Sequence, residues 1–488
     1  MVRLLVLIPA CAGAVAFFVQ SDRYRRVLLL SAALVQAALS LATWVVPPTP
    51  ALGGWLAEDP LGRVFETLTS VLFLAASFYA VAYLREERSH PRADFEEGFL
   101  FSNAREASFT GCLLLFLAAM TLVSVSQHLA LLWVAIEATT LASAPLIYFH
   151  RHHRSLEATW KYLLICSVGI ALALLGIFFL AVAATNPDGS TISLAVQDLT
   201  RHAHHLNVPW FKAAFVLLLV GYGTKMGLAP FHTWLPDAHS EAPSVASALL
   251  SGALLNCAFL GILRTQEICV AGGLADFSGR LLLVFGLLSM AVAAIFITGQ
   301  TDYKRMLAYS SVEHMGILAV GVGLGGTAVF GAMLHVINHS LTKAMLFMVA
   351  GNLLAVYRTK NISDVAGALS VLPASGFLWV LGLFAITGSP PFGPFLSEFA
   401  ILKSALDQGQ VFVAVVYLGL LAIILAAMAA PALAMAQGTP SKNVAAFAKR
   451  SLALSAVPAM LGAAVVMMGV YVPPVLARAL REAARLLG

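Results

Sequence analysis

Apolar runs of about twenty residues recur from one end of the chain to the other, each long enough for a helix to cross roughly 30 Å of hydrocarbon. In lipid the backbone finds no water to bind, so runs of this kind must satisfy their own amides as helices. The sequence therefore predicts an all-α polytopic membrane protein of about fourteen transmembrane helices. They are read at 2–19, 27–46, 64–84, 107–126, 129–149, 159–184, 210–229, 244–264, 280–299, 305–325, 327–355, 375–405, 411–436 and 452–471. Composition agrees: of 488 residues 60% are hydrophobic and only 11% charged, against roughly 25% in a soluble domain. The first run is expected to be an uncleaved helix rather than a leader, because a basic turn, Arg23 to Arg26, and a second span follow at once.

Against that background, charge inside the runs is expensive, at about 2.5–3.5 kcal/mol for a residue at the bilayer centre. Lys161, Lys225, Lys343, Lys403, Glu137, Glu313 and Glu398 nevertheless fall within them. So many intramembrane charges require a polar interior, and the usual purpose of such an interior is to move ions. His335, His339 and Lys343 are spaced four apart and so stack on one helix face over about 12 Å. Such a column can relay protons, or it can simply be a polar surface that holds helices together. Glu137 has Thr139, Thr140 and Ser143 nearby to solvate it, and Lys225 is its natural counter-charge. Lys161 lies one turn into its run, where a lysine can snorkel to the surface. Glu313 with His314, and Lys403 after Glu398, complete the candidates in this group.

Two runs are interrupted by proline and glycine. Gly227-Leu-Ala-Pro230-Phe231 and Gly388-Ser-Pro-Pro391-Phe392 align without gaps at a constant offset, which also pairs Asp237 with Glu398. Each proline frees carbonyls that water or neighbouring helices must satisfy. His232, Asp237 and His239 beyond the first break lie either at the mouth of a path or in an ordinary loop. Lys161 and Gly169 likewise match Lys343 and Gly351 in spacing. Spans six and seven thus map onto eleven and twelve, and the odd number of spans between them makes the copies inverted, the sequence mark of a transporter. The expected units are 1–106, an N-terminal three-helix segment and polar loop; 107–265 and 279–437, the two inverted five-helix repeats; and 452–488, a last span with an amphipathic, interfacial tail.

Other classes are disfavoured. The five cysteines are scattered with no paired spacing, and there is no nucleotide-binding glycine loop, so no redox centre, metal or cofactor site and no catalytic centre of its own are expected in this chain. Basic residues are dispersed over short loops, which argues against nucleic acid. They concentrate in loops after odd-numbered spans, such as Arg23, Arg25, Arg26, Arg85, Arg88, Lys304, Lys442, Lys449 and Arg450. Arg264 and a few others are counted on the opposite side. The positive-inside rule then puts both termini outside the cytoplasm.

The segments "YGTKMGLAPFHTWLPDAHSEAPS", "TDYKRMLAYSSVEHMGI" and "HVINHSLTKAMLFMVAGNL" resemble the antiporter-like subunits shared by respiratory complex I, Mrp-type Na+/H+ antiporters and group 4 membrane-bound [NiFe] hydrogenases. "IEATTLASAPLIYFHR" and "LEATWKYLLICSVG" bring the chain closest to component F of the hydrogenase-4 and formate-hydrogenlyase branch. The resemblance runs from about residue 105 to 405. It implies a fourteen-helix fold with two inverted five-helix repeats and a proton path along the membrane midplane. The path would use Glu137, Lys225, His335, His339, Lys343 and Glu398, with Lys161, His232, Glu313, His314, Lys403 and Asn256 as further candidates. It also implies partner membrane subunits and a peripheral hydrogenase or dehydrogenase arm carrying [NiFe] and iron–sulfur centres, in a prokaryotic cytoplasmic (inner) membrane. The alternatives are a subunit of a complex I-like dehydrogenase, a subunit of an Mrp-type antiporter, and a non-conducting scaffold. One position departs from the family: the eighth span offers only Ser251 and Asn256 where many relatives carry a lysine or histidine. At a spacing of five, those two are not expected on one α-helical face.

Overall fold

The computed structural model describes residues 1–86, 92–93, 98, 100–186, 189–440 and 453–488. Arg88, Lys442, Lys449 and Arg450 of the orientation argument lie outside the described residues. The chain is helical almost throughout. The helices are α1 (Val2–Phe18), α2 (Asp22–Ala42), α3 (Pro60–Glu86), α4 (Glu106–Val125), α5 (Leu129–Ile147), α6 (His153–Ala183), α7 (Val196–Arg201), α8 (Val208–Met226), α9 (Trp234–Glu241), α10 (Ser244–Leu249) and α11 (Leu255–Ala271). They continue with α12 (Ala275–Ile297), α13 (Tyr303–Leu324), α14 (Thr327–Tyr357), α15 (Ala368–Val371), α16 (Pro373–Ile386), α17 (Gly393–Asp407) and α18 (Val411–Ala436), then Ala453–Val470 and Pro474–Arg485. The exception to the all-α expectation, among the described residues, is an antiparallel pair, Arg92–Ala93 with Leu100–Phe101.

Ten helical stretches among the described residues are long and apolar enough to cross a bilayer, or eleven if the last two helices, bent by 75°, form one span. The count of about fourteen adds α1, α8 and the α16–α17 pair, which are too short, too polar or too broken to qualify by length and composition alone.

Glycines set the closest helix contacts, as expected where lipid offers no hydrophobic drive and tight packing must hold helices together. A Cβ on Gly286 would stand 2.8 Å from the Gly316 carbonyl, and one on Gly279 2.7 Å from that of Gly323, so α12 and α13 are zipped along their length. Gly169 and Gly221 do the same for α6 and α8. The charged and histidine-bearing helices α13 and α14 are buried along most of their length, whereas α6, α12 and α18 turn much of their surface outward.

The two breaks are built alike. After α8, Gly227 takes φ +86°, Leu228 donates to the Gly223 carbonyl (2.8 Å) and Phe231 to that of Leu228 (2.9 Å). After α16, Gly388 takes φ +65°, Ser389 donates to Phe384 (2.9 Å) and Phe392 to Ser389 (3.2 Å), all at the constant offset read from the sequence. Both Ala229–Pro230 and Pro390–Pro391 are cis. The Trp234 indole closes the first break by donating to the Thr224 carbonyl at 2.8 Å, so the helix end keeps an acceptor partner.

A third irregularity was not legible beforehand. Leu250–Leu254 forms a π turn between α10 and α11, with Leu255 N–H bonded to the Leu250 carbonyl. A π turn brings residues five apart into register, which overturns the expectation for Ser251 and Asn256. Both reach the α13–α14 pair, Ser251 at Ser311 (2.9 Å) and Asn256 at Ser340 (2.8 Å). The tail helix is amphipathic as read: Leu480 and Leu487 are buried, while Arg478, Arg481 and Arg485 face outward. It packs on α3 and α14.

Candidate functional site

The first half of the site is held by α5, α6 and α8. Lys225 is fully buried near the end of α8, one turn before the break. Its ammonium donates to Tyr162 Oη at 2.6 Å and Thr140 Oγ1 at 2.8 Å, and lies 4.6 Å from the Tyr162 ring centre. Thr140 in turn donates to Glu137 Oε2 at 3.3 Å, and Ser167 donates to Oε1 at 3.1 Å. Glu137 and Lys225 are therefore linked through a hydroxyl rather than in direct contact. Thr139 and Ser143 do not reach Glu137: Thr139 bonds the Ile136 carbonyl, and Ser143 bonds Tyr162 Oη at 2.6 Å. The tyrosine is the group that the sequence reading missed.

The second half lies on α13, α14 and α17. His335, His339 and Lys343 are all fully buried on α14. Lys343 donates to the Leu307 carbonyl at 2.6 Å and to Ser310 Oγ. His314 Nδ1 is 2.8 Å from His335 Nε2, and His335 Nδ1 is 2.9 Å from Ser397 Oγ. The His314 and His339 rings are 5.0 Å apart. Glu398, 5% exposed, sits against Gly388, where a Cβ would fall 1.9 Å from its Oε2. The second break thus provides the space that the carboxylate occupies. Asn256 lies on α11, which packs against α8, and bonds Ser340, the residue next to His339.

Among the described residues several polar atoms along this row have no partner: Asn256 Oδ1, Glu313 Oε2, Glu398 Oε1, and both ring nitrogens of His339 and of His239. An unmet buried polar atom costs about 1–3 kcal/mol; others lie elsewhere, as at Gln36, Tyr222 and Gln266, but those of the row sit on neighbouring titratable groups, where buried water would meet them. His239, stacked on Phe347 at 4.7 Å, is brought to the row by α9.

Three candidates do not join it. Lys161 is exposed and bonds Asp237 at 3.0 Å and Glu157 at 2.6 Å, so it snorkels. Lys403 is 62% exposed and pairs with Asp407 one turn on, away from Glu398. His232 is buried beside Phe296 and Tyr309. Asp237 also takes Arg305 at 2.7 Å, and with Arg154, Glu157, Lys161 and Glu241 it lines a cleft of ≈ 150 Å³. Burial opposes ionisation of Glu241, but Lys360 at 2.8 Å outweighs it and holds the carboxyl below its usual range.

Two further buried polar groups went unread. Glu66 on α3 is fully buried and accepts from Gln36 and Ser70, each at 2.8 Å. Arg264, counted as a loop residue, is 1% exposed and forms a two-pronged ion pair with Asp59. Burial works against Asp59 ionisation, yet the Arg264 charge and hydrogen bonds hold its carboxyl below the ordinary value.

Comparison with known proteins places this arrangement in a family. Residues 126–426, which include every member of the row from Glu137 to Glu398, match the family described as NADH:quinone oxidoreductase/Mrp antiporter, TM. The chain is 37% identical over 371 residues to the hydrogenase-4 component F homolog of Methylacidiphilum infernorum, covering 76% of each protein. It is 27% identical over 390 residues to hydrogenase-4 component B of Escherichia coli, covering 77% of this chain but 55% of that one. In fold it is similar to a chain of the archaeal membrane-bound sulfane sulfur reductase, with a TM-score of 0.86 at 19% identity, covering 100% of this chain and 97% of that one. A match over most of the chain, together with a relative this similar across three-quarters of both proteins, establishes that the chain belongs to the NADH:quinone oxidoreductase/Mrp antiporter transmembrane family.

Proposed function

We propose that this chain is the proton-translocating membrane subunit of a group 4 membrane-bound hydrogenase complex. The observation that carries the reading is the row from half-buried Glu137 through buried Thr140, Lys225 and Tyr162, past Asn256 and Ser340, to His339, Lys343, His314, His335 and Glu398. Its members are titratable side chains joined or separated by hydroxyls and by polar atoms with spare hydrogen-bonding capacity, the attachment points for hopping through buried water. Lysines in the row favour protons over an alkali cation such as sodium, which gains no bond to an imidazole that could offset their repulsion. The two alike breaks support an inverted-repeat architecture, with each break admitting protons to one half. The hydrogenase assignment, in preference to a complex I-like or Mrp-type partner, rests on the component F homolog.

On this reading, partner membrane subunits and a peripheral arm with [NiFe] and iron–sulfur centres supply the driving electron transfer. The protein sits in a prokaryotic cytoplasmic membrane with both termini on the outer side. Purification of the tagged protein from native membranes should bring down hydrogenase subunits, and in reconstituted vesicles Lys225→Ala should abolish proton movement while the complex stays assembled. Wild-type pumping by the assembled variant would refute the role of the row. Co-purification with only antiporter subunits would refute the hydrogenase assignment.

A further inference from the structure

We propose that His314, His335 and Glu398 form a binding site for one divalent transition cation of the zinc type. The three come from α13, α14 and α17, and one ligand atom from each lies within 4.8 Å of the other two. All three are buried, and Glu398 Oε1 has no hydrogen-bond partner among the described residues. Two imidazoles and a carboxylate make the donor set of a zinc site with one open position. Sodium, magnesium and calcium ask for oxygen ligands and would leave the imidazoles unused.

The surrounding hydrogen bonds prepare the site. Ser397 Oγ donates to the Pro394 carbonyl at 2.9 Å, so it accepts from His335 Nδ1 at 2.9 Å. That bond fixes the His335 tautomer with its Nε2 lone pair turned to His314, as outer-shell partners of metal-bound histidines do. Between the two rings, at 2.8 Å, one proton is shared. Moving that proton to Nε2 of the same His314 ring frees Nδ1 without removing a proton from the pair. Two lone pairs then face one point. Tetrahedral ligation at 2.0–2.1 Å needs the nitrogens about 3.3 Å apart, a small opening of the pair. Glu398 is held at the gap that Gly388 leaves, and Pro390 and Pro391 of the same break are exposed. On the proton-path reading, occupancy would take up the lone pairs that pass the proton and so stop translocation. The site itself is defined without that reading.

The test is therefore binding, not pumping. Purified full-length protein carrying His202→Ala, His204→Ala and His205→Ala, which removes an exposed histidine cluster, is titrated with Co²⁺ and followed by equilibrium dialysis and visible absorption. The expected result is one Co²⁺ per chain, with the d–d bands of a four-coordinate ion, displaced by Zn²⁺. His335→Ala and the near-isosteric Glu398→Gln, each with an unchanged size-exclusion profile, should lose stoichiometric binding. Ser397→Ala should weaken it by about 10–100-fold. Absence of stoichiometric binding, or binding that survives His335→Ala combined with Glu398→Gln, would overturn the site. A proton path that failed its own vesicle test would leave these titrations untouched.

Discussion

Replacing Tyr162 by phenylalanine removes one oxygen from the shell around Lys225 and keeps the ring beneath its ammonium. In the native protein that oxygen accepts at 2.6 Å from Lys225 and also meets Ser143 at 2.6 Å. A hydrogen bond to a charged group contributes about 1.5–3 kcal/mol, and Thr140 Oγ1 at 2.8 Å remains as the other acceptor. If the proton passes through Lys225 in the slow step, translocation should fall by about 10–150-fold, the same energy expressed as a rate. Ser143→Ala removes a neutral hydroxyl bonded to Tyr162 Oη and to the Thr139 carbonyl, each bond worth about 0.5–1.5 kcal/mol and neither of them to the ammonium, and should slow translocation far less. The assay is dye-reported acidification in vesicles holding the assembled complex, with assembly checked by native electrophoresis. Wild-type rates in Tyr162→Phe, or equal losses in the two variants, would refute the argument that the tyrosine holds the ammonium charge.

Three more outcomes follow from local geometry. Gly388→Ala would set a methyl 1.9 Å from Glu398 Oε2 at φ +65°, so vesicle acidification should fall as far as in Glu398→Ala while the complex still assembles. Glu66→Ala strips Gln36 and Ser70 of their shared acceptor; thermal unfolding should show a loss of about 1–3 kcal/mol, mostly recovered in Glu66→Gln. Asp59→Asn leaves Arg264 charged and buried, a loss of about 3–5 kcal/mol. Because the Asp59 carboxyl is held below its usual value, the native advantage is present at neutral pH, and melting curves of the two proteins should converge only as pH falls below about 4.

Much of this molecule was legible because membrane burial writes itself into sequence as length and charge. The helix stacking His335, His339 and Lys343 follows from spacing alone, and the broken helices follow from Pro230 and Pro391. Contacts between elements were less readable. Nothing in the one-dimensional pattern says that Tyr162, sixty-odd positions before Lys225, would supply its acceptor, since only the packing of α6 on α8 at Gly169 and Gly221 brings them together. The π turn that aims Asn256 at Ser340 has no compositional mark in an apolar run. Lys403 and Lys161 misled in the opposite direction: a lysine near a helix end has the same local sequence whether its stem points inward or reaches outward.

The glycine zipper between α12 and α13 bears on how such a chain can enter a membrane at all. α14, with its lysine, histidines and asparagines, is poorly suited to face lipid alone, and α13 carries Glu313 and His314. α12 is strongly apolar and turns much of its surface outward. A short link joins it to α13, and Gly279 and Gly286 meet Gly323 and Gly316 closely enough for the two backbones to touch. During synthesis, then, the apolar helix leaves the ribosome first and can escort the charged one into the bilayer as a hairpin. α14 follows directly and finds a polar wall already waiting. The glycines that look like packing details in the finished protein are also the points at which such a hairpin would close.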